Sequence, residues 1–258
     1  MEDFDIYISS DGYLNIPEKE IRYLVNFAES NIPIMPEAVE NTVKIAGRDG
    51  DIPLSTNYEP MSFNIVCYTE DNLTPEQKKA EKSKVNSFLN SIKKNTKTFA
   101  FQTEEKFYDV KYNGNLVTET YPKHIKFNIP LKSSVPYAKV LEKTIVEGSA
   151  TAQTIVSNTI EDVGVVITIL GPATLPELAI NNYEMIYNYN ILEGAKVVID
   201  TGNSTITNIN ANNIKTNVMP YYNHQFPKIH SGENELKVQS GIEHPETQVT
   251  FEWYDLTL

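Results

Sequence analysis

Four histidines, one cysteine and a few adjacent carboxylates are the residues of this 258-residue chain that could do chemistry. The histidines are His124, His224, His230 and His244. None has the His-Glu-x-x-His spacing that sets two imidazoles on one helix face for zinc. Cys67 stands alone, so neither a cysteine-rich zinc site nor an internal disulfide can be built. His224 and His230 lie near Glu233 in sequence, where a metal or acid–base cluster is conceivable. No Gly-x-Ser-x-Gly nucleophile elbow occurs. Glu104-Glu105 and Glu161-Asp162 fall in turn-like stretches where solvation accounts for them. The turn Gly47-Arg48-Asp49-Gly50 lacks the further glycines, the Lys-Ser or Lys-Thr pair and the following helix of a phosphate cradle. These residues predict no catalytic, cofactor-binding or metal site, and a protein that is not an enzyme.

The elements that would position such groups are mostly short strands. Ile6 and Ile8 alternate with polar neighbours, Ser9–Gly12 is turn chemistry, and Tyr13–Ile16 follows, which predicts a hairpin. Residues 18–28 fit a helix through Ile21, Leu24, Val25 and Ala28, or a strand through Ile21, Tyr23, Val25 and Phe27; the strand is preferred. Pro33 and Pro36 argue against any regular ladder after it. Met61, Phe63, Ile65 and Cys67 share one face of a further strand, making Cys67 a buried, inert thiol. One helix is predicted over about residues 75–94. Thr74-Pro75-Glu76-Gln77 supplies its cap, and Val85, Phe88, Leu89 and Ile92 form its apolar stripe. Strands follow at 98–101, 107–112 and 124–129, with Asn113-Gly114-Asn115 expected to close a hairpin.

Pro130, Ser133-Ser134 and Pro136 suggest a domain joint, dividing the chain into 1–135 and 136–258. Beyond it, short strands with turns at roughly 8–12-residue spacing predict a β-sandwich. The chain would finish with a turn at Ser231-Gly232-Glu233-Asn234, a strand through Leu236 and Val238, and a last strand through Val249, Phe251 and Trp253. The expected fold class is therefore mainly β, an N-terminal β domain with one α-helix followed by a C-terminal sandwich.

Charge narrows the partners. The formal net charge is −12, which argues against a nucleic-acid grip. Residues 1–70 hold 13 acids and 4 bases, residues 71–130 hold 7 and 11, and the remainder holds 14 and 7. The basic middle centres on the helix, either as a solvated face or as a surface meeting an acidic neighbour. The acidic start lacks the basic and apolar regions of a signal peptide, and no apolar run nears the roughly 20 residues needed to span a bilayer. A soluble chain folded in a reducing cytosol is expected, without membrane insertion.

Four features in fixed order resemble the distal tail protein (Dit) family of phages with long non-contractile, siphovirus-type tails. They are the Ala46–Gly50 turn leading to Tyr58 and the Met61–Cys67 strand, the capped helix, the Pro130–Tyr137 joint, and the closing run from Phe226-Pro227 through Gly232-Glu233-Asn234 to Trp253-Tyr254. The second half is similar to the family's galectin-like sandwich in Ile169-Leu170-Gly171-Pro172-Ala173 and in Leu192-Glu193-Gly194-Ala195-Lys196-Val197-Val198-Ile199-Asp200. The resemblance implies a ring-forming N-terminal domain and a homohexameric hub at the virion tail tip, assembled in the bacterial host cytoplasm. Its partners would be the tail tube protein and the tip fibre or receptor-binding proteins, with DNA passing through unbound. The alternative is a lectin-like module for adsorption to the host surface. A galectin-type sugar site needs a His-Asn-Arg cluster and a displayed Trp. The only arginines, Arg22 and Arg48, lie in the first half, and Trp253 sits in the last strand, where burial is expected. Tyr183, Tyr187, Tyr189, Tyr221 and Tyr222 could stack on sugars or simply pack.

Overall fold

The computed structural model describes residues 4–45, 49–93, 95–223, 225–242, 244 and 246–258. Two compact units emerge, Met1–Leu141 with Leu258, and Glu142–Thr257. The division thus falls after Leu141 and not at 135.

The first unit contains β1 (Ile6–Ile8), β2 (Tyr13–Ile16), β3 (Ile21–Val25), β4 (Ala38–Lys44), β5 (Asp51–Tyr58) and β6 (Ser62–Tyr68). Helix α1 (Pro75–Ile92) follows, then β7 (Lys97–Phe101), β8 (Lys106–Tyr112), β9 (Val117–Thr120), β10 (Ile125–Ser133) and β11 (Ala138–Val140). Pairing runs β8-β7-β1-β2-β3-β6-β10, and β10 returns to β8 through Leu131 opposite Tyr112 and Ser133 opposite Val110. The ladder closes on itself as a barrel, which removes the exposed edges of those strands. Burial alternates strictly along β3 and along all of β10, the period-2 signature of strands with one face in a core. Phe63 meets Phe99, Phe101 and Tyr108 at ring-centroid distances of 5.4, 6.0 and 5.0 Å in that core.

Helix α1 carries the predicted cap. The Thr74 backbone N–H donates to Gln77 Oε1 at 2.8 Å, and the Gln77 N–H donates back to Thr74 Oγ1 at 3.2 Å. Its stripe of Val85, Phe88, Leu89 and Ile92 joins the same core cluster, and Tyr23 Oη on β3 donates to Glu81 Oε2 at 2.6 Å.

Two local expectations fail for long-range reasons. Asn113–Asn115 does not close a hairpin, because β8 pairs with β10 while β9 pairs with the other half of β10. Nor does Pro130 end its strand. It sits where β10 changes partner, after Asn128 opposite Val117 and before Leu131 opposite Tyr112. On the other side it faces Asn64, whose own N–H and C=O bond Asn31 at 2.8 and 2.9 Å, so no acceptor there waits for the amide proton that proline lacks.

The second unit holds β12 (Thr144–Glu147), β13 (Gln153–Ser157), β14 (Val163–Gly164), β15 (Val166–Leu170), β16 (Glu177–Ile180) and β17 (Tyr183–Ile186). Then come β18 (Lys196–Asp200), β19 (Thr205–Ile209), β20 (Lys215–Asn217), β21 (Lys228–Ile229), β22 (Gly232–Ser240) and β23 (Gln248–Trp253). One sheet runs β12-β23-β15-β18-β19-β20, the other β13-β22-β16-β17, with β14 and β21 paired apart. Their facing residues, including Ile167, Val197, Phe251, Leu178, Leu236 and Val238, form one core of a sandwich. The predicted turn at Ser231–Asn234 is instead the start of β22. Its turn chemistry survives in the side chain of buried Asn234, which donates to His230 O at 2.8 Å and accepts from the His230 N–H at 3.0 Å.

Candidate functional site

The reactive side chains are scattered. His230 Nδ1 lies 2.7 Å from Asp162 Oδ1, a half-exposed pair, and Glu233 is exposed on β22. His124 sits against Asp71 at 3.3 Å and stacks on Tyr121. His244 Nδ1 accepts from the Glu246 N–H at 3.3 Å. His224, Gly47, Arg48 and Lys94 lie outside the described residues. Among the described residues no group of three or more His, Cys, Asp or Glu is placed to hold a metal. Cys67 is fully buried, and burial pushes its thiol well above the ordinary range, away from a reactive thiolate. Glu104 pairs with Lys106 at 2.7 Å. Trp253 is buried in β23, its Nε1 donating to Asp255 Oδ1 at 3.1 Å.

The charge clusters resolve into local ties and one free region. On the basic helix, Lys78 Nζ donates to Tyr121 O and Pro122 O at 2.8 and 2.7 Å, and Lys82 Nζ to Thr120 Oγ1 at 2.6 Å. Those lysines pin the β9–β10 turn; Lys79 alone of the first turns stays exposed with no ion pair among the described residues. Several early acids are also paired: Asp5 with Lys97, Asp11 with Arg22, Glu18 with Lys19, Glu29 with Lys126. Lys97 and Thr98 hold Asp5 below the usual carboxylate range even though burial alone would raise it.

The free region is the β4–β5 hairpin. Every residue of β4 is exposed and β5 is exposed apart from half-buried Ile52, so this arm packs against no core. Glu37, Glu40 and Glu59 on it are exposed and make no ion pair among the described residues. The register shifts once: Asn41 faces Ser55 while Thr42 faces Pro53, leaving Leu54 unopposed and 66% exposed. Sequence reading missed the arm, because strands with neither face buried show no alternation.

A second surface lies in the sandwich unit. Of the five tyrosines singled out, Tyr187 and Tyr222 are buried, whereas Tyr183, Tyr189 and Tyr221 are about half exposed. The backbone explains the split. Tyr187 bridges Tyr222 and donates its N–H to Pro176 O at 3.1 Å, and Asn188 N–H donates to Tyr221 O at 2.7 Å. That sets the Tyr189 and Tyr221 rings 4.9 Å apart, tilted by 32°. The segment is held from below by the two sequence runs noted above, which bind each other. Gly171 N–H donates to Ala195 O at 2.9 Å, and Ala173 and Ile191 exchange bonds of 2.9 and 2.8 Å. A side chain at Gly171 would meet Leu192 O at 2.3 Å, so the close approach requires glycine. Beside the tyrosine pair is a hollow of about 330 Å³ lined by Leu175, Asn188, Tyr189, Asn190 and Leu192.

Residues 159–254 match the family model of the siphovirus-type tail component, C-terminal domain. The sandwich is therefore similar to a siphovirus tail-component domain. A search among curated proteins gives no match. Among solved structures, the chain is similar to the SPP1 Dit protein, described as "a paradigm of hub adsorption apparatus in Gram-positive infecting phages". Identity is 10%, with 92% of this chain and 94% of that one covered, at a TM-score of 0.64. It is also similar to a chain of the phage P2 baseplate in its activated conformation with Ca, at 11% identity, 95% and 94% coverage and a TM-score of 0.55. At these identities the likeness shows the fold, a mainly β chain with one helix. The tail-component domain and the whole-chain fold together bear out the resemblance to distal tail proteins drawn from the sequence.

Proposed function

We propose that this chain is the hub protein of a phage tail tip. Six copies close a ring that joins the tail tube to the tip fibre or receptor-binding apparatus, and DNA passes through its centre. The barrel unit forms the ring and the tail-component domain faces outward, in a particle assembled in the bacterial host cytoplasm. The observation that carries this reading is the tail-component match over residues 159–254 within a fold that follows the Dit protein across both units. The β4–β5 arm supports it, since a lone two-stranded hairpin is marginal in water and gains stability by lying on a neighbour. The unpaired acids Glu37, Glu40 and Glu59 suit a passage that must repel phosphate.

Light scattering tests the ring. Six copies of 29.2 kDa give about 175 kDa. A monomer mass at every concentration, and also in the presence of the tail tube protein, refutes the hub reading.

A further inference from the structure

We infer that the hollow beside Tyr189 and Tyr221 is a binding site for a neutral sugar ring. The two aromatic side chains are 51% and 45% exposed, yet their segments are fixed: Tyr221 accepts from the Asn188 N–H and donates to Val218 O, and Tyr187 and Ile191, on either side of Tyr189, bond Pro176 and Ala173. Exposed apolar rings held rigidly cost little entropy on binding, and their faces suit the C–H face of a pyranose. Leu192 is 73% exposed and extends that apolar floor. The amides of Asn188 and Asn190 each offer donors and an acceptor to sugar hydroxyls.

A separate observation points the same way. Tyr187 is 1% exposed, and its hydroxyl has no hydrogen-bond partner among the described residues. A buried polar group without a partner is uncommon and costs free energy until something binds it. Tyr187 does not itself line the hollow, but it directly precedes Asn188 and Tyr189, which do, and it bridges Tyr222 next to Tyr221. No charged side chain lines the hollow, which leaves an ionic ligand without a countercharge. The volume of about 330 Å³ is at the small end for ligand pockets and suits one ring. The site uses no arginine, so it differs from the galectin-type cluster set aside above.

The test is saturation-transfer NMR on the full chain with glucose, galactose, N-acetylglucosamine and rhamnose, each at about 10 mM to detect weak binding. At least one sugar should receive saturation on its ring C–H protons, and Tyr189→Ala and Tyr221→Ala should each reduce the signal about fivefold or more. Asn190→Asp, an exposed polar change, should reduce it as well and guards against a misfolded tyrosine variant. Absence of transfer from all four sugars, or transfer that survives these substitutions, overturns the assignment. So does protection of Tyr189 by a tail-tip protein without any sugar effect, which would make the hollow a protein-docking surface. The hexamer reading stands or falls separately, since these variants should leave the particle mass unchanged.

Discussion

Replacing Leu54 with Ser separates the value of the arm to one chain from its value to an assembly. In the single chain Leu54 is the extra residue of a bulge, unopposed across the hairpin and 66% exposed. Losing it there should change stability by less than about 0.5 kcal/mol, as for surface substitutions generally. Covered by a neighbouring copy, a leucine contributes about 1.5–3 kcal/mol on full burial. Scaled to the exposed two-thirds of the side chain, the loss is about 1–2 kcal/mol per contact, roughly 5- to 30-fold in its dissociation constant. If the proposed hexamer forms, a concentration series by light scattering should show it giving way at correspondingly higher protein concentration, while urea unfolding of the chain keeps its midpoint. An unchanged assembly curve would refute the argument that the bulge aims this side chain at a partner. A chain destabilised by more than about 1 kcal/mol would refute the argument that Leu54 is idle in the monomer.

Thr74→Ala removes one half of the reciprocal cap of α1 and should lower stability by about 1 kcal/mol in chemical unfolding. Gly164→Ala would put a methyl 2.3 Å from Gly202 Cα, backbone that cannot step aside, so calorimetry should show a loss of about 3 kcal/mol or more. Asp5 and Glu18 have carboxyls held below their ordinary values, Asp5 through Lys97 and Thr98 against burial, Glu18 chiefly through Lys19. Their stabilisation is therefore complete above the unfolded-state carboxylate range of about 4 and is lost as pH falls through the lower folded values. Asp5→Asn should accordingly be less stable than the parent at neutral pH, with the difference closing in acid. Glu37, Glu40 and Glu59 changed together to Lys should leave the particle mass unchanged but impair DNA ejection; normal ejection would count against an acid-lined passage.

What could be read from the sequence was whatever a single buried face imposes. Ile21, Tyr23 and Val25 alternate because one side of β3 meets the barrel core, and the cap at Thr74 and Gln77 is complete within four residues. The arm was illegible for the converse reason: with both faces in solvent, β4 and β5 have no pattern to display. Asn113–Asn115 is good hairpin chemistry, but β8 closes the barrel against one end of β10 while β9 pairs with the other end. Pro130 looked like a break because the sequence does not show that its neighbour Asn64 spends its backbone bonds on Asn31. The tyrosines are alike as residues, and only the tie between Asn188 and Tyr221 decides which of them reach solvent. Leu175, Asn188, Asn190 and Leu192 gave no sign of lining a hollow, since that role is set by how residues 171–175 and 187–195 come together.

The single tryptophan of the chain is enclosed in the sandwich domain, with its indole proton committed to Asp255. Intrinsic emission excited at the red edge therefore comes from that domain alone and is blind to the barrel. Rearrangements of that domain in the purified protein could be followed in real time without introducing a label.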